Sequence, residues 1–190
     1  MKLSILTNDV LTKGAILGGV MLASNIAECS MLYWGNSFKW QVIISLESLV
    51  AMAMFCYLLY RFTSNYATLV LSERKELPYF TFGNGLSYAV RISMLAGVVV
   101  SVGNYIFTHY IIGYDKYIAR QVEVLRGLAQ MTIGEISQWY YDMANELENA
   151  DIPSLGSTVI SSVWVYLLAG TIVGLVVAAI TKRAPQMFNK

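Results

Sequence analysis

The chain has 190 residues, 56% of them hydrophobic and only 13% charged, with a mean hydropathy of +0.54 and a formal net charge of +1. Soluble domains carry about 25% charged residues, so this composition excludes an ordinary water-soluble enzyme. The near-neutral charge and the lack of a basic aromatic patch leave no case for a nucleic-acid partner.

The first thirteen residues are polar and carry Asp9, which is not the charged-then-apolar order of a secretory leader. Ile26-Ala27-Glu28-Cys29 has Glu28 where a lipoprotein cleavage box needs a small residue, so the first span is expected to stay attached. That span is Gly14–Trp34, with Glu28 its one charge. Gly14, Gly18, Met21, Asn25 and Glu28 fall on one stripe, because steps of three and four stay on one helical face. The two glycines suit close helix approach, and Asn25 can hydrogen-bond across that contact.

A second span, Val42–Tyr60, contains Glu47 at about the depth of Glu28, some 6 Å outward of mid-span at 1.5 Å rise per residue. Two carboxylates at matched depth can share a proton, bind a cation or meet a base on a partner. The bland reading leaves each at the interface, in contact with water or headgroups. The connection 62–81 is read as a hairpin: a strand over Tyr66–Ser72, a charged turn at Glu73-Arg74-Lys75-Glu76, and a second strand over Leu77–Phe82. Gly83-Asn84-Gly85 lacks the third glycine of a dinucleotide fingerprint and precedes a span, so it reads as a turn and helix entry.

Arg91 heads the third span, Ile92–Ile112, and is expected to snorkel to headgroups, a candidate lipid contact. Ser93, Gly97, Ser101, Asn104 and Thr108 form a small, weakly polar stripe that suits helix packing. A hydrophilic pathway through Asn104 is the sharper reading. His109, the only histidine, has no further ligand at metal-binding spacing. Tyr114–Asp151 then shows apolar residues at helical steps from Ile118 to Leu147. One continuous helix of that length would run about 50 Å, so it must lie along the surface or break at Gly127 or Gly134. The fourth span, Val159–Ile180, has a ridge of Ser162, Tyr166, Gly170, Gly174 and Ala178 and ends at Lys182-Arg183.

These elements describe an all-α integral membrane protein, one domain over residues 1–190, with four transmembrane helices and an exported amphipathic helical segment at 114–151. Nine of the thirteen lysines and arginines fall on the side of the two termini. The positive-inside rule therefore places both termini in the cytoplasm and 114–151 in the periplasm. Cys29 and Cys56 differ in depth by about 15 Å, too far for a disulfide. No HExxH, nucleophile–base pair or phosphate loop is present, so no enzyme, cofactor or metal is expected.

The order of parts resembles an uncharacterised membrane family of Bacteroidota, domain of unknown function 4199. The resemblance rests on two spans with a charged exit, Tyr79-Phe80-Thr81-Phe82-Gly83 leading into span three, the segment after Tyr114-Asp115, and the glycine-rich last span ending in Lys182-Arg183. Gly85 departs from the alanine expected there. The resemblance implies a four-span inner-membrane topology and no catalytic residues. Members are often encoded beside a polyprenyl-phosphate glycosyltransferase, which implies an accessory role in envelope assembly. The functions expected are therefore an accessory or scaffold subunit with a membrane-protein partner, or a small homo-oligomeric transporter or channel using Glu28 and Glu47.

Overall fold

The computed structural model describes residues 3–34, 38–73 and 79–183. In chain order these form α1 (Leu3–Trp34), α2 (Phe38–Glu73), α3 (Phe82–Ile106), a π-helical segment (Phe107–Gly113), α4 (Tyr114–Met131), α5 (Glu135–Glu148) and α6 (Leu155–Thr181). Among the described residues there is no strand. Four stretches are long and apolar enough to cross a bilayer: α1, α2, α3 with its continuation, and α6. The protein is a multi-pass helical membrane protein, as its composition requires.

The small-residue ridges set how the spans meet. Gly85 packs on Ala178, Ala89 on Gly174, Ser93 on Gly170 and Gly97 on Tyr166, so α3 and α6 run antiparallel in unbroken four-residue steps. The same register continues past both helix ends, where Phe80 and Arg183 exchange two backbone hydrogen bonds of 3.2 and 3.0 Å. On another face of α3, Gly14 meets Leu95, Gly18 meets Val99 and Gly103 meets Leu22, a parallel pairing with α1. α3 is thus the central helix. The α2 helix packs mainly on α1 and α6 and has the smallest share of its apolar window buried.

This register staggers the apolar windows. On α1 and α3 they coincide, but Arg91 lies level with Ile172, about 15 Å short of Lys182 along α6. The apolar run of α6 therefore continues well past the level at which Arg91 opens that of α3. Helix α3 also begins at Phe82, ten residues before the expected span. Thr81 caps it by accepting from the Asn84 N–H at 3.1 Å, so Gly83-Asn84-Gly85 is a helix entry, within the first turn.

The expected hairpin over 62–81 does not form. Tyr66–Ser72 belongs to α2, which runs to Glu73. No glycine or proline interrupts the chain between Val42 and Leu77, and Phe62, Tyr66 and Val70 present a buried helical face. Tyr66 stacks flat on Tyr88 (4.1 Å, 5°) and meets the edge of Phe80 at 5.9 Å. That packing outweighs β-propensity, which is weak and context-dependent. Among the described residues of the second expected strand, only Phe80 pairs, and its partner is Arg183. Arg74, Lys75 and Glu76 of the charged turn and Leu77 and Pro78 of the second expected strand lie outside the described residues.

The segment 114–151 is a helical hairpin. Helix α4 turns away from the π-helical segment at Gly113 (φ +90°), and the hairpin turns at Thr132–Gly134, where Gly134 has φ +72°. Both conformations favour glycine. Gly127 lies inside α4 and breaks nothing. The seam buries Val122, Ala129 and Ala144, while the exposed Arg126–Glu148 pair (2.5 Å) contributes at most about 1 kcal/mol.

Candidate functional site

Helices α1 and α2 run antiparallel through the level of their two acids. Glu47 accepts a hydrogen bond from the Ser24 hydroxyl of α1. Glu28 lies within hydrogen-bonding reach of the Ser48 hydroxyl and within electrostatic range of Glu47. The matched depth expected of the two carboxylates thus becomes a four-residue cluster, acid to serine in both directions across the helix pair. The second carboxyl oxygen of Glu47, Oε2, is buried and has no hydrogen-bond partner among the described residues.

Beside this cluster α2 stands off α6 and leaves a cleft of about 330 Å³. Met21, Ser24, Asn25 and Glu28 of α1 form one wall, Ser48, Ala51, Met52 and Phe55 of α2 another, and Val165, Tyr166 and Ala169 of α6 the third. Phe55 and Tyr166 close it from two helices, edge to face at 6.0 Å. The lining is apolar with a few convergent oxygens, the make-up of ligand and helix-docking sites. Such a lining favours a partner that brings a cation or a hydrogen-bond donor to an otherwise greasy contact.

The stripe expected on α1 divides between two neighbours. Gly14 and Gly18 pack on α3, whereas Met21, Asn25 and Glu28 face the cleft. Gly97, Gly170 and Gly174 all serve the α3–α6 contact. Asn104 is at nearly the depth of Asn25, one residue after the Gly103–Leu22 contact, but does not line the cleft. Its Oδ1 is buried without a partner among the described residues. Arg91 is exposed on the side of α3 opposite α6 and makes no hydrogen bond or ion pair among the described residues. His109 stacks between Tyr105 (3.8 Å) and Tyr114 (4.7 Å) within the π-helical segment. Among the described residues no three metal-binding side chains come together, and both cysteines are free.

Most of the cleft's lining was not anticipated, including its two serines, Ser24 and Ser48, and Phe55. Ser24 precedes Glu28 by four residues, a same-face spacing that the sequence shows. The adjacency of Ser48 to Glu28 depends on the α1–α2 register, which no spacing reveals.

A family described as "Protein of unknown function (DUF4199)" matches residues 12–183. The chain belongs to this family. The match covers all four spans, the cleft and the helical hairpin. No curated protein and no solved structure matches the chain.

Proposed function

We propose that this protein is a non-enzymatic accessory subunit of a membrane assembly, and that its partner engages the cleft that Asn25 and Glu28 line, next to Glu47. The observation that carries the reading is the buried, unpartnered Oε2 of Glu47 in a cluster of acids and serines. A buried acceptor without a donor is costly, and an acid within a span normally finds a partner. A lysine, arginine or amide donor on a neighbouring transmembrane helix meets that demand. Inner-membrane location with cytoplasmic termini, and a polyprenyl-phosphate glycosyltransferase of envelope assembly as the partner, complete the proposal.

The test is native mass spectrometry of the tagged protein, purified from its own membrane in mild detergent. A stoichiometric membrane protein is expected to co-elute. Glu28→Gln combined with Glu47→Gln is expected to weaken its retention on the order of 30-fold or more, the effect of removing one side of a buried charged contact worth about 2 kcal/mol or more. The helical circular-dichroism signal should not change. Co-elution of no partner, or undiminished retention by the double variant, would sink the reading.

The same carboxylate cluster favours a second reading, an oligomeric cation or proton transporter. It predicts ion flux in proteoliposomes that the double Gln variant abolishes, with self-association intact. Absence of flux in the unsubstituted protein removes it.

A further inference from the structure

The helical hairpin has an apolar tip that nothing among the described residues covers. Ile133 is 93% exposed, Met131 64%, Ile136 59% and Trp139 56%. Four large apolar side chains within nine residues, each more than half exposed, form a patch of the kind that marks an interaction site.

The direction of α4 says what lies beneath this patch. The parallel register of α1 and α3 puts Cys29 level with Tyr110. Tyr117, seven residues further along the chain, nevertheless reaches the Cys29 thiol. Helix α4 therefore does not carry on along the axis of α3. It turns at Gly113 and passes α1 at the level of Cys29, in the last part of that helix. The face that Tyr117 presents to α1 continues along α4 as Gln121, Val124, Leu128 and Met131, at steps of four and three. That face is the one turned to α1, and its members stay on it along the whole helix. Beyond the width of α1 it overhangs the bilayer, and its last member, Met131, is exposed there.

We propose that the hairpin tip, Met131 to Ile136, inserts into the lipid leaflet on the hairpin side, so that this protein holds the bilayer by an in-plane element besides its four spans. The occupant is lipid because the face that meets a membrane-spanning helix through Tyr117 continues past Gln121 as the apolar Val124, Leu128 and Met131 up to the tip. Trp139 sits at the border between Ile136 and Met143 on one side and Glu135, Asp142 and Glu146 on the other. An indole at such a border belongs at headgroup level, with the three acids turned to water.

The test uses the full chain with Ile133→Cys, labelled with a nitrobenzoxadiazole maleimide and reconstituted into phosphatidylethanolamine–phosphatidylglycerol vesicles. The unsubstituted chain is the blank for Cys29 and Cys56. Gln130→Cys, on the opposite face of α4, is the control. Ile133 and Gln130 are both exposed, so neither change disturbs packing. The label at 133 is expected to emit further to the blue and to be quenched about twofold more strongly by lipids spin-labelled near the top of the acyl chain than the label at 130, as for an interfacial element. Equal, weak lipid quenching at both sites with water-like emission overturns the proposal and leaves the tip as a docking site for a protein. Strong lipid quenching at both sites also overturns it, because the face argument then fails.

Discussion

Gly170→Leu is expected to cause the largest loss of stability of any single change in the spans. A Cβ at Gly170 would sit 2.4 Å from both Cβ and Oγ of Ser93, a residue that is itself fully buried. Neither atom is the far end of a flexible chain, so the helices must separate to admit even a methyl group. Leucine adds three further carbons at the middle of the most extensive helix contact in the protein. Overpacking of this kind costs about 1–3 kcal/mol where neighbours can yield, and here it should reach or exceed the top of that range. Thermal unfolding in detergent, followed by circular dichroism, measures it. Gly19→Leu is the matched control, because no atom lies within 4 Å of a Cβ there, and its effect should be within about 0.5 kcal/mol. Combining Gly170→Ala with Ser93→Gly removes the clash and should recover most of the loss that Gly170→Ala alone produces. Equal stability of Gly170→Leu and Gly19→Leu would mean that α3 and α6 do not pair in this register.

The contrast between Gly170 and Gly19 also shows what was legible in the sequence. Apolar runs identified all four spans, and four-residue spacing identified Gly97, Gly170 and Gly174 as packing positions. Both signals are local, because a helical face repeats within a few residues. Register is not local. The hydropathy windows of α3 and α6 suggest spans meeting end to end, whereas the ridge of Gly85, Ala89, Ser93 and Gly97 locks them with Arg91 at the level of Ile172. Small residues lodging against one another decide the alignment, and bulk hydropathy does not, since lipid and helix interior are equally apolar. Tyr66–Ser72 failed for a related reason. Its β-branched and aromatic residues read as a strand, but the partners that hold it helical, Tyr88 and Phe80, lie more than ten residues away. In the candidate site, Asn25, Glu28 and Glu47 could be singled out because polar groups in a span are conspicuous. Ser24 and Ser48 could not, since serine is common in spans and only the α1–α2 pairing gives these two a role. The hairpin turn was narrowed to two glycines, and the seam of Val122, Ala129 and Ala144 selected Gly134.

Tyr88→Ala is expected to be nearly as damaging as Gly170→Leu, for the opposite reason. Tyr88 is 1% exposed and ties three helices together at the terminal end of the bundle. Its ring stacks on Tyr66 of α2, and its hydroxyl donates to the Asp9 carboxyl of α1 at 2.5 Å. Truncation removes a full aromatic side chain from a closed site, a change that costs about 3–5 kcal/mol in protein cores. It also strands a part-buried acceptor, for a further penalty on the order of 1–3 kcal/mol. Tyr88→Phe separates the two contributions. It keeps the stack and should cost only the hydrogen-bond share, and Asp9→Leu made on top of Tyr88→Phe should add little. Unfolding by titration with a denaturing detergent supplies the numbers for this double-mutant cycle. A Tyr88→Phe chain as labile as Tyr88→Ala would show that the hydrogen bond, not the ring, holds this end together. Loss of less than about 1 kcal/mol for Tyr88→Ala would show that α2 is not anchored there at all. That second outcome bears on the cleft. Beyond Tyr66, α2 is held to its neighbours by Phe62, which also lies under the Lys13 ammonium at 5.4 Å, by the fully buried Thr63 and Leu59, and by Phe55 against Tyr166. An α2 released at Tyr88 would pivot about Phe55 and carry Ser48 away from Glu28. Tyr88→Ala should therefore reduce retention of the proposed partner along with stability, while Tyr88→Phe leaves retention intact.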